Sequence, residues 1–405
     1  MKKFAVLGYG VVGSGVVELF YKNKAHIEHN AGDEMDIKYI LDIREFPDSP
    51  YADKFTKTID TILNDDEVYA VAECMGGIHP AFEFVKSCLE KGKSVSTSNK
   101  ELVAEKGAEL LAIAKAKNCN FFFEASVGGA IPIIRPLHKC LAANEISEIA
   151  GILNGTTNFI LTKMIEDKMK FEDALKMAQE LGYAERNPAA DVEGFDACRK
   201  ICILSSLTYG KHVYPKSVHT QGITEITLED VQFAKKWGGA VKLIADVKKL
   251  DNGKILPVVM PMIVPFTNLI ARVDDVFNAI MVSGNGIDKT LFYGRGAGKL
   301  PTASAVLGDI IDEVKHNRTV LSQYWEQSEN DSFIEDYSQF EARMYFRTSK
   351  PVESSIVETY IDNQGSENYA FVTEKMSIAG AEAVVAHLKS QGIETLSFIP
   401  VLDIE

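Results

Sequence analysis

Tryptophan, cysteine and positive charge are what this sequence has least of. It holds two tryptophans and six cysteines in 405 residues. None of Cys74, Cys88, Cys119, Cys140, Cys198 and Cys202 falls in a C-x-x-C pair. Neither a disulfide framework nor a cysteine zinc site is therefore expected. The six read as packing cysteines of a reduced, cytoplasmic chain, Cys198 and Cys202 as core fillers four apart on one helix. Basic residues number 43 against 57 acidic ones, a net charge of −14. Such a chain repels polyanions, which argues against nucleic acid and anionic membranes as partners. Long apolar runs are missing too, since none approaches the ~20 residues of a membrane-spanning helix. The greasiest stretch, 255–266, is broken by Pro257, Pro261 and Pro265. No signal peptide is expected, because the first eight residues already read as a strand entering a turn. Hydrophobic residues make up 46% of the chain, enough to bury sizeable cores, so disorder is excluded for most of it. At ~150 residues per domain the length predicts two or three domains.

Periodicity divides the chain. Up to about residue 145, strand patterns (4–7, 37–42, 68–74, 94–97, 119–124) alternate with helical ones (11–29, 80–91, 101–117). Alternation of this kind predicts a doubly wound, mostly parallel sheet covered on both faces. Residues 146–320 change character. Helices are expected over 154–166, 171–181 and 193–209, strands over 240–247, 255–264, 279–283 and 289–293. This reads as an α+β domain, with a last helix over 301–317 returning to complete the first domain. The polar stretch 323–337 (QYWEQSENDSFIEDY) reads as a linker. Residues 338–405 form a small module, with strands expected at 341–347, 369–373 and 395–402 and helices at 352–361 and 379–389.

Gly8-Tyr9-Gly10-Val11-Val12-Gly13 fits G-x-G-x-x-G between a strand and a helix. Gly8 would permit the tight turn, Gly10 the approach of a pyrophosphate, and Gly13 the packing of helix on strand. Free N–H groups at the helix start would then hold phosphate oxygens. The plainer account is a turn that needs glycine only to pack. Asp42 closes the second strand and suits the ribose 2′-OH of NAD, whereas Arg44 suits the 2′-phosphate of NADP. The two signals point to use of either nucleotide, and both residues also make sense as solvated loop charges.

Lys100 follows a strand (SVSTSNK), where an open α/β sheet binds its ligands. Glu185, Asp191, Glu193 and Asp196 crowd into one loop and helix start, which also suits a helix dipole. Lys200 lies four residues after Asp196, and the same face continues as Ile203 and Leu207. The pair thus opens an apolar stripe, where a half-buried lysine needs a carboxylate partner. Such a lysine can act as a general acid or base, and the other carboxylates could hold an ammonium group.

Taken in order, GYGVVGSG (8–15), NK (99–100), EASVGGAIP (124–132), GILNGTTN (151–158), LGYAE…GFDACRK (181–200) and GRGAGKLPTA (294–303) resemble homoserine dehydrogenase over residues 1 to about 320. The resemblance implies an NAD(P)-linked oxidoreductase that interconverts L-homoserine and L-aspartate 4-semialdehyde, in threonine and methionine synthesis. It implies a Rossmann-type domain, a catalytic and dimerisation domain, and a homodimer or homotetramer in the cytoplasm. Lys200 corresponds to the family's proton donor and Lys100 to its second active-site lysine. Glu185, Asp196, Asp191, Tyr183 and Thr156 correspond to substrate-pocket positions. Val11, Val12, Gly76, Lys100, Gly182 and Gly298 correspond to nucleotide contacts. A structural monovalent cation, usually sodium, is implied at Glu124, Val127, Gly129 and Ile131, held by a carboxylate and main-chain carbonyls. The plainer account there is Glu124 as a helix cap.

The sequence also departs from the family. Arg295 and Lys299 stand where the family often has proline and glycine, which adds positive charge near the nucleotide. The module at 338–405 resembles a ferredoxin-like ACT domain loosely. Its first turn, Thr348-Ser-Lys-Pro-Val-Glu353, lacks the ligand loop's aspartate and glycine, and one strand is expected to be missing. That argues against threonine as an effector and for a role in pairing subunits. No aspartokinase-like stretch precedes residue 1, so a monofunctional enzyme is expected. A nucleotide-bound sensor without catalysis, or another amino-acid dehydrogenase on the same scaffold, remains open at this point. Intact Lys100, Glu185, Asp196 and Lys200 argue against the first, and GILNGTTN with LGYAE against the second.

Overall fold

A computed structural model describes residues 1–317, 319–321 and 324–403. Gln323, at the head of the expected linker, and the last two residues of the module lie outside the described residues. The chain divides into two compact units. Unit 1 comprises Met1–Glu145, Cys202–Pro215 and Gly294–Glu329; unit 2 comprises Ile146–Ile201, Lys216–Tyr293 and Asn330–Glu405.

Unit 1 is built on β1 (Lys2–Leu7), α1 (Val11–Lys22), α2 (Lys24–Ala31), β2 (Met35–Leu41), β3 (Phe55–Thr56), α3 (Ile59–Leu63), β4 (Val68–Glu73), α4 (Ala81–Glu90), β5 (Ser94–Thr97), α5 (Lys100–Ala116) and β6 (Phe121–Phe122). The six strands pair in parallel in the order β3-β2-β1-β4-β5-β6. The order reverses between β1 and β4, which makes the carboxyl ends of those strands the ligand crevice of such a sheet. The helix expected over 11–29 is two helices. Asn23 ends α1 with its N–H on Leu19 O and starts α2. The strand expected over 119–124 keeps only two residues, because Glu124–Ser126 turns into a 3₁₀ helix.

The polar stretch after residue 323 is not all linker. Trp325 is fully buried in unit 1, against Gly107, where an added Cβ would lie 2.6 Å from the indole. Its Nε1 donates to Nδ1 of the buried His212 at 2.9 Å. Five of the cysteines are buried as expected of packing residues, but Cys140 is exposed.

Unit 2 contains β7 (Ile146–Ile152), α6 (Gly155–Glu166), α7 (Phe171–Glu180), α8 (Ala189–Val192), the first half of α9 (Phe195–Tyr209), β8 (His219–Thr220), α10 (Leu228–Trp237), β9 (Gly239–Lys249), β10 (Ile255–Pro265), β11 (Phe277–Gly284) and most of β12 (Asp288–Arg295). Its sheet runs β12-β11-β7-β9-β10-β8. The returning helix, α11 (Lys299–Lys315), belongs to unit 1. It crosses α1 so closely that a Cβ on Gly15 would lie 2.8 Å from Lys299 O. Its buried face carries Asp309 and Glu313, which accept from Ser96 Oγ (2.9 Å) and Ser94 Oγ (2.7 Å).

The C-terminal residues form β13 (Glu341–Thr348), β14 (Val357–Ile361), β15 (Tyr369–Ser377), α12 (Ile378–Ser390) and β16 (Thr395–Pro400), in the antiparallel order β14-β15-β13-β16. That is a ferredoxin-like sheet with all four strands. The missing element is the first helix, not a strand. The segment expected as that helix turns at Ser354, whose carbonyl takes Val357 N–H, and continues as Val-Glu-Thr-Tyr-Ile. Pro351 and the β-branched residues favour an extended chain there. The module shares its core with the main sheet of unit 2. Phe340, Phe346 and Phe371 pack in one cluster with Ile152, Ile244 and Met260.

Candidate active site

The glycine turn has the shape that its motif predicts. Gly8 sits at φ +87°, a left-handed conformation that favours glycine. A Cβ on Gly13 would fall 1.8 Å from Gly8 O, so α1 can start here only with glycine at that position. Around Gly10 nothing lies within 4 Å of where a Cβ would be. Gly10 is also the N-cap of α1, with no side chain capping the helix. The turn therefore presents open backbone N–H groups and a helix N-terminus, the surroundings a phosphate needs. Val11 is exposed and Val12 half-buried beside it.

Asp42 follows β2 and is only 8% exposed. Its carboxylate accepts from Tyr9 N at 2.8 Å, inside the glycine turn, and from Arg44 through N, Nε and NH2 at 2.8–3.0 Å. The Arg44 guanidinium holds the Asp42 carboxyl well below the usual carboxylate range. The two residues expected to compete over the ribose are thus paired, with Arg44 exposed to solvent.

Two loops follow β4 and β5. Gly76 is open, with nothing near a Cβ, and Gly77 sits at φ +73°. Asn99 caps α5 by accepting Leu102 N–H at 3.1 Å, which makes Lys100 the first helical residue. Between the loops lies Glu73, 0% exposed at the end of β4. Burial pushes its carboxyl up to about 7. Glu73 escaped the sequence reading. The available signal was an acid closing an otherwise apolar strand, Val-Tyr-Ala-Val-Ala-Glu.

In unit 2 the lysine and the carboxylates meet. Lys200 and Asp196 are 7% and 4% exposed on α9. Lys200 Nζ donates to Asp196 Oδ2 at 2.7 Å and to Leu153 O at 2.6 Å. Asn154 Nδ2 donates to Asp191 Oδ1 at 2.7 Å and to Asp196 Oδ2 at 2.8 Å. The same asparagine caps α6 through Thr157 N at 2.8 Å. Asn154 was also missed; its signal was an asparagine opening a helical run. Thr156 Oγ1 donates to Tyr183 O at 2.7 Å, which joins the GILNGTTN and LGYAE segments. Tyr183 lays its ring edge-on against Phe159. Gly182 is left-handed at φ +77°. Glu185 stands apart, exposed, with its main-chain carbonyl taken by Gln179 Nε2.

The segment 124–131 lies in unit 1 and is buried apart from Ala130. Gly128 and Gly129 are both left-handed, and a Cβ on Gly129 would meet Gly296 O at 2.5 Å. The Glu124 carboxylate accepts from the N–H groups of Ile133 (2.7 Å), Ile134 (3.0 Å) and Arg135 (2.8 Å). That is the capping geometry of the plainer account, and it engages both oxygens of the carboxylate that the resemblance assigns to a cation. Among the described residues, no hydrogen bond to the carbonyls of Val127, Gly129 and Ile131 is found, and Glu124 opens the 3₁₀ helix 124–126. Main-chain oxygens are hard donors of the kind that an alkali cation takes. Gly298, at φ +135°, is the N-cap of α11. Lys299 packs on Gly15 of the glycine motif, and its Nζ pairs with Glu18 at 2.6 Å.

The family model for the homoserine dehydrogenase NAD binding domain matches residues 8–124, and that for homoserine dehydrogenase matches residues 132–311. The homoserine dehydrogenase of Bacillus subtilis is 40% identical over 320 residues, covering 78% of this chain and 73% of that protein. The chain belongs to the homoserine dehydrogenase family. The family's enzymes are NAD(P)-linked oxidoreductases acting on small molecules, and so is this chain. A solved homoserine dehydrogenase of Thiobacillus denitrificans superposes with a TM-score of 0.90 at 31% identity, covering 99% of this chain and 98% of that one. A hyperthermophilic archaeal homoserine dehydrogenase in complex with NADPH is 28% identical, with a TM-score of 0.65, over 78% of this chain and 98% of that one. Among the described residues, no helix is long and apolar enough to cross a membrane.

Proposed function

We propose that Lys200 is the proton donor and acceptor in the interconversion of L-aspartate 4-semialdehyde and L-homoserine. The observation that carries this is the buried Lys200–Asp196 pair, fixed by Leu153 O and Asn154. A bound nicotinamide supplies or takes the hydride. In the reducing direction the aldehyde oxygen becomes an alkoxide, and Lys200 Nζ gives it a proton; in the oxidising direction Lys200 takes that proton back. Two hydrogen bonds already orient Nζ, so little ordering is left for the reaction itself. Asp191 and Asp196, joined by Asn154, offer negative charge to the substrate ammonium, with Glu185 as a third carboxylate. Tyr183 and Thr156 wall the pocket. Lys100 is the second active-site lysine.

The nucleotide reading rests on Gly8, Gly10, Val11, Val12 and Gly13 for the pyrophosphate, and on Gly76, Lys100, Gly182 and Gly298 beyond it. Asp42 and Arg44 support use of either NAD or NADP. Arg44 is exposed and suits a 2′-phosphate, and Asp42 suits a free 2′-OH. A structural monovalent cation at Glu124, Val127, Gly129 and Ile131, held by a carboxylate and main-chain carbonyls, completes the site. The enzyme is read as a cytoplasmic homodimer or homotetramer that feeds threonine and methionine synthesis. Free thiols and the place of β12 at the end of its sheet support that reading.

The decisive assay follows oxidation of NADH and of NADPH with aspartate semialdehyde. Lys200→Ala is expected to lower kcat by about 10²–10⁴-fold and to leave nucleotide affinity in place. A kcat near that of the parent would refute the proton-transfer role.

A further inference from the structure

Glu73 is an acid with no solvent access at the carboxyl end of the sheet, beside the reversal in strand order. Burying a carboxyl so completely is costly, and the groups that meet it are not cations. Met75 N–H donates to Oε1 at 2.6 Å, and the Thr97 hydroxyl donates to Oε2. Thr97 Oγ1 in turn accepts from Asn99 N at 2.9 Å. Asn99 Nδ2 donates to Gly77 O at 2.6 Å. The path closes on itself, from Glu73 through residues 75–77 to Asn99, then Thr97, and back to Glu73. The main chain adds one more tie, from Ser98 N to Glu73 O at 3.1 Å.

We propose that Glu73 is a positioning residue, whose carboxylate locks the loop after β4 to the loop after β5 and thereby sets Gly76 and Lys100 for the nucleotide. The proposal rests on the reading that Gly76 and Lys100 face the nucleotide. Above pH 7, where Glu73 is ionised, a carboxylate is the side chain that this ring needs. Both donors, Met75 N–H and Thr97 O–H, point at it, so both oxygens must accept. An amide of the same shape offers one accepting oxygen and turns an NH2 towards the other donor. Glu73→Gln therefore opens the ring at one point without changing the packing volume.

The test compares Glu73→Gln, Thr97→Val, Thr97→Ser and Lys100→Met in the full chain at pH 8, where Glu73 is ionised. NADPH affinity is read by fluorescence titration, and kcat and KM for the semialdehyde by turnover. Glu73→Gln is expected to weaken NADPH binding and to lower kcat, each by about tenfold, the effect of losing one hydrogen bond to a charged group. KM for the semialdehyde should move less than either. Thr97→Val should do the same, and Thr97→Ser, which keeps the hydroxyl, should restore the parent values. The double variant Glu73→Gln/Thr97→Val should be no worse than the poorer single one, because both break the same ring. Parent-like NADPH affinity and kcat in Glu73→Gln would overturn the proposal, as would a lower melting temperature with unchanged kinetic constants. If Glu73→Gln fails to fold, the Thr97 pair decides, and equal damage from Val and Ser overturns the proposal. Lys100→Met separates the two readings. If it leaves NADPH affinity and kcat untouched, the role of Lys100 falls; if it is impaired while Glu73→Gln is not, the ring falls alone.

Discussion

Two carboxyl groups of unit 1, Glu73 and Asp309, are pushed up to about 7 by burial, Asp309 despite the Arg135 guanidinium 2.7 Å away. In the unfolded chain both ionise near 4. Between those values the folded chain keeps protons that the unfolded chain has released, so these groups make stability fall as pH rises from about 5 to 7, and level off above. Buried His212, with a lowered pKa, acts in the opposite sense, so the net profile mixes both. The difference between Glu73→Gln and the parent isolates one group. It should shift in favour of the variant by on the order of 3 kcal/mol between pH 5 and 8, as measured by urea unfolding. A constant difference would contradict a neutral Glu73. The Lys200–Asp196 pair was legible at this scale because both ends lie on one helix face. Asn154 was not, since 37 and 42 residues separate it from Asp191 and Asp196. Only the folded chain brings those partners together.

Among elements, the strand–turn–helix at residues 2–22 separates two jobs that glycine does. Gly13 makes room for the turn itself, with Gly8 O at 1.8 Å from any Cβ; Gly10 faces open space. Gly13→Ala is therefore expected to lower the melting temperature sharply. Gly10→Ala should melt like the parent, yet bind NADH and NADPH at least tenfold more weakly, because its methyl occupies the phosphate's approach. Thermal melts and nucleotide titrations of both variants check this; equal melting losses would mean that Gly10 too is a packing residue. Most strands and helices of unit 1 were legible because both faces of its sheet are covered and apolar runs stand out. The module's β14 was not. Val-Glu-Thr-Tyr-Ile is short, and its place as a strand comes from pairing with β15, a contact that no local period reveals.

At the scale of the molecule, residues 330–403 are held to α10 of unit 2 by a buried ionic latch and to its sheet by a common core. Arg347 Nε donates to Asp230 Oδ1 at 2.8 Å and NH1 to Glu229 Oε2 at 2.7 Å, with the Tyr345 hydroxyl on Asp230 at 3.2 Å. Asp230 is 0% exposed. Arg347→Ala leaves that carboxylate without its cation and should destabilise unit 2 by about 3–5 kcal/mol, read from the urea midpoint. A change under ~1 kcal/mol would mean that the apolar core alone holds the module. Three of the module's four strands were legible, but not this tie. Arg347 and Asp230 are 117 residues apart, and a charged residue in an edge module reads as surface until its partner is known.

The scarcity of tryptophan gives the molecule a built-in optical division. Trp325 lies in the core of unit 1, hydrogen-bonded to His212, and Trp237 ends α10 in unit 2, half-buried under the Arg343 guanidinium at 5.3 Å. Tryptophan emission, excited at the red edge where tyrosine does not absorb, therefore has one source per unit, in two different surroundings. With Trp237→Phe, the remaining glow tracks the nucleotide-binding half alone, and with Trp325→Phe the half that carries Lys200. The order in which the two halves come apart under denaturant can be watched without attaching a dye.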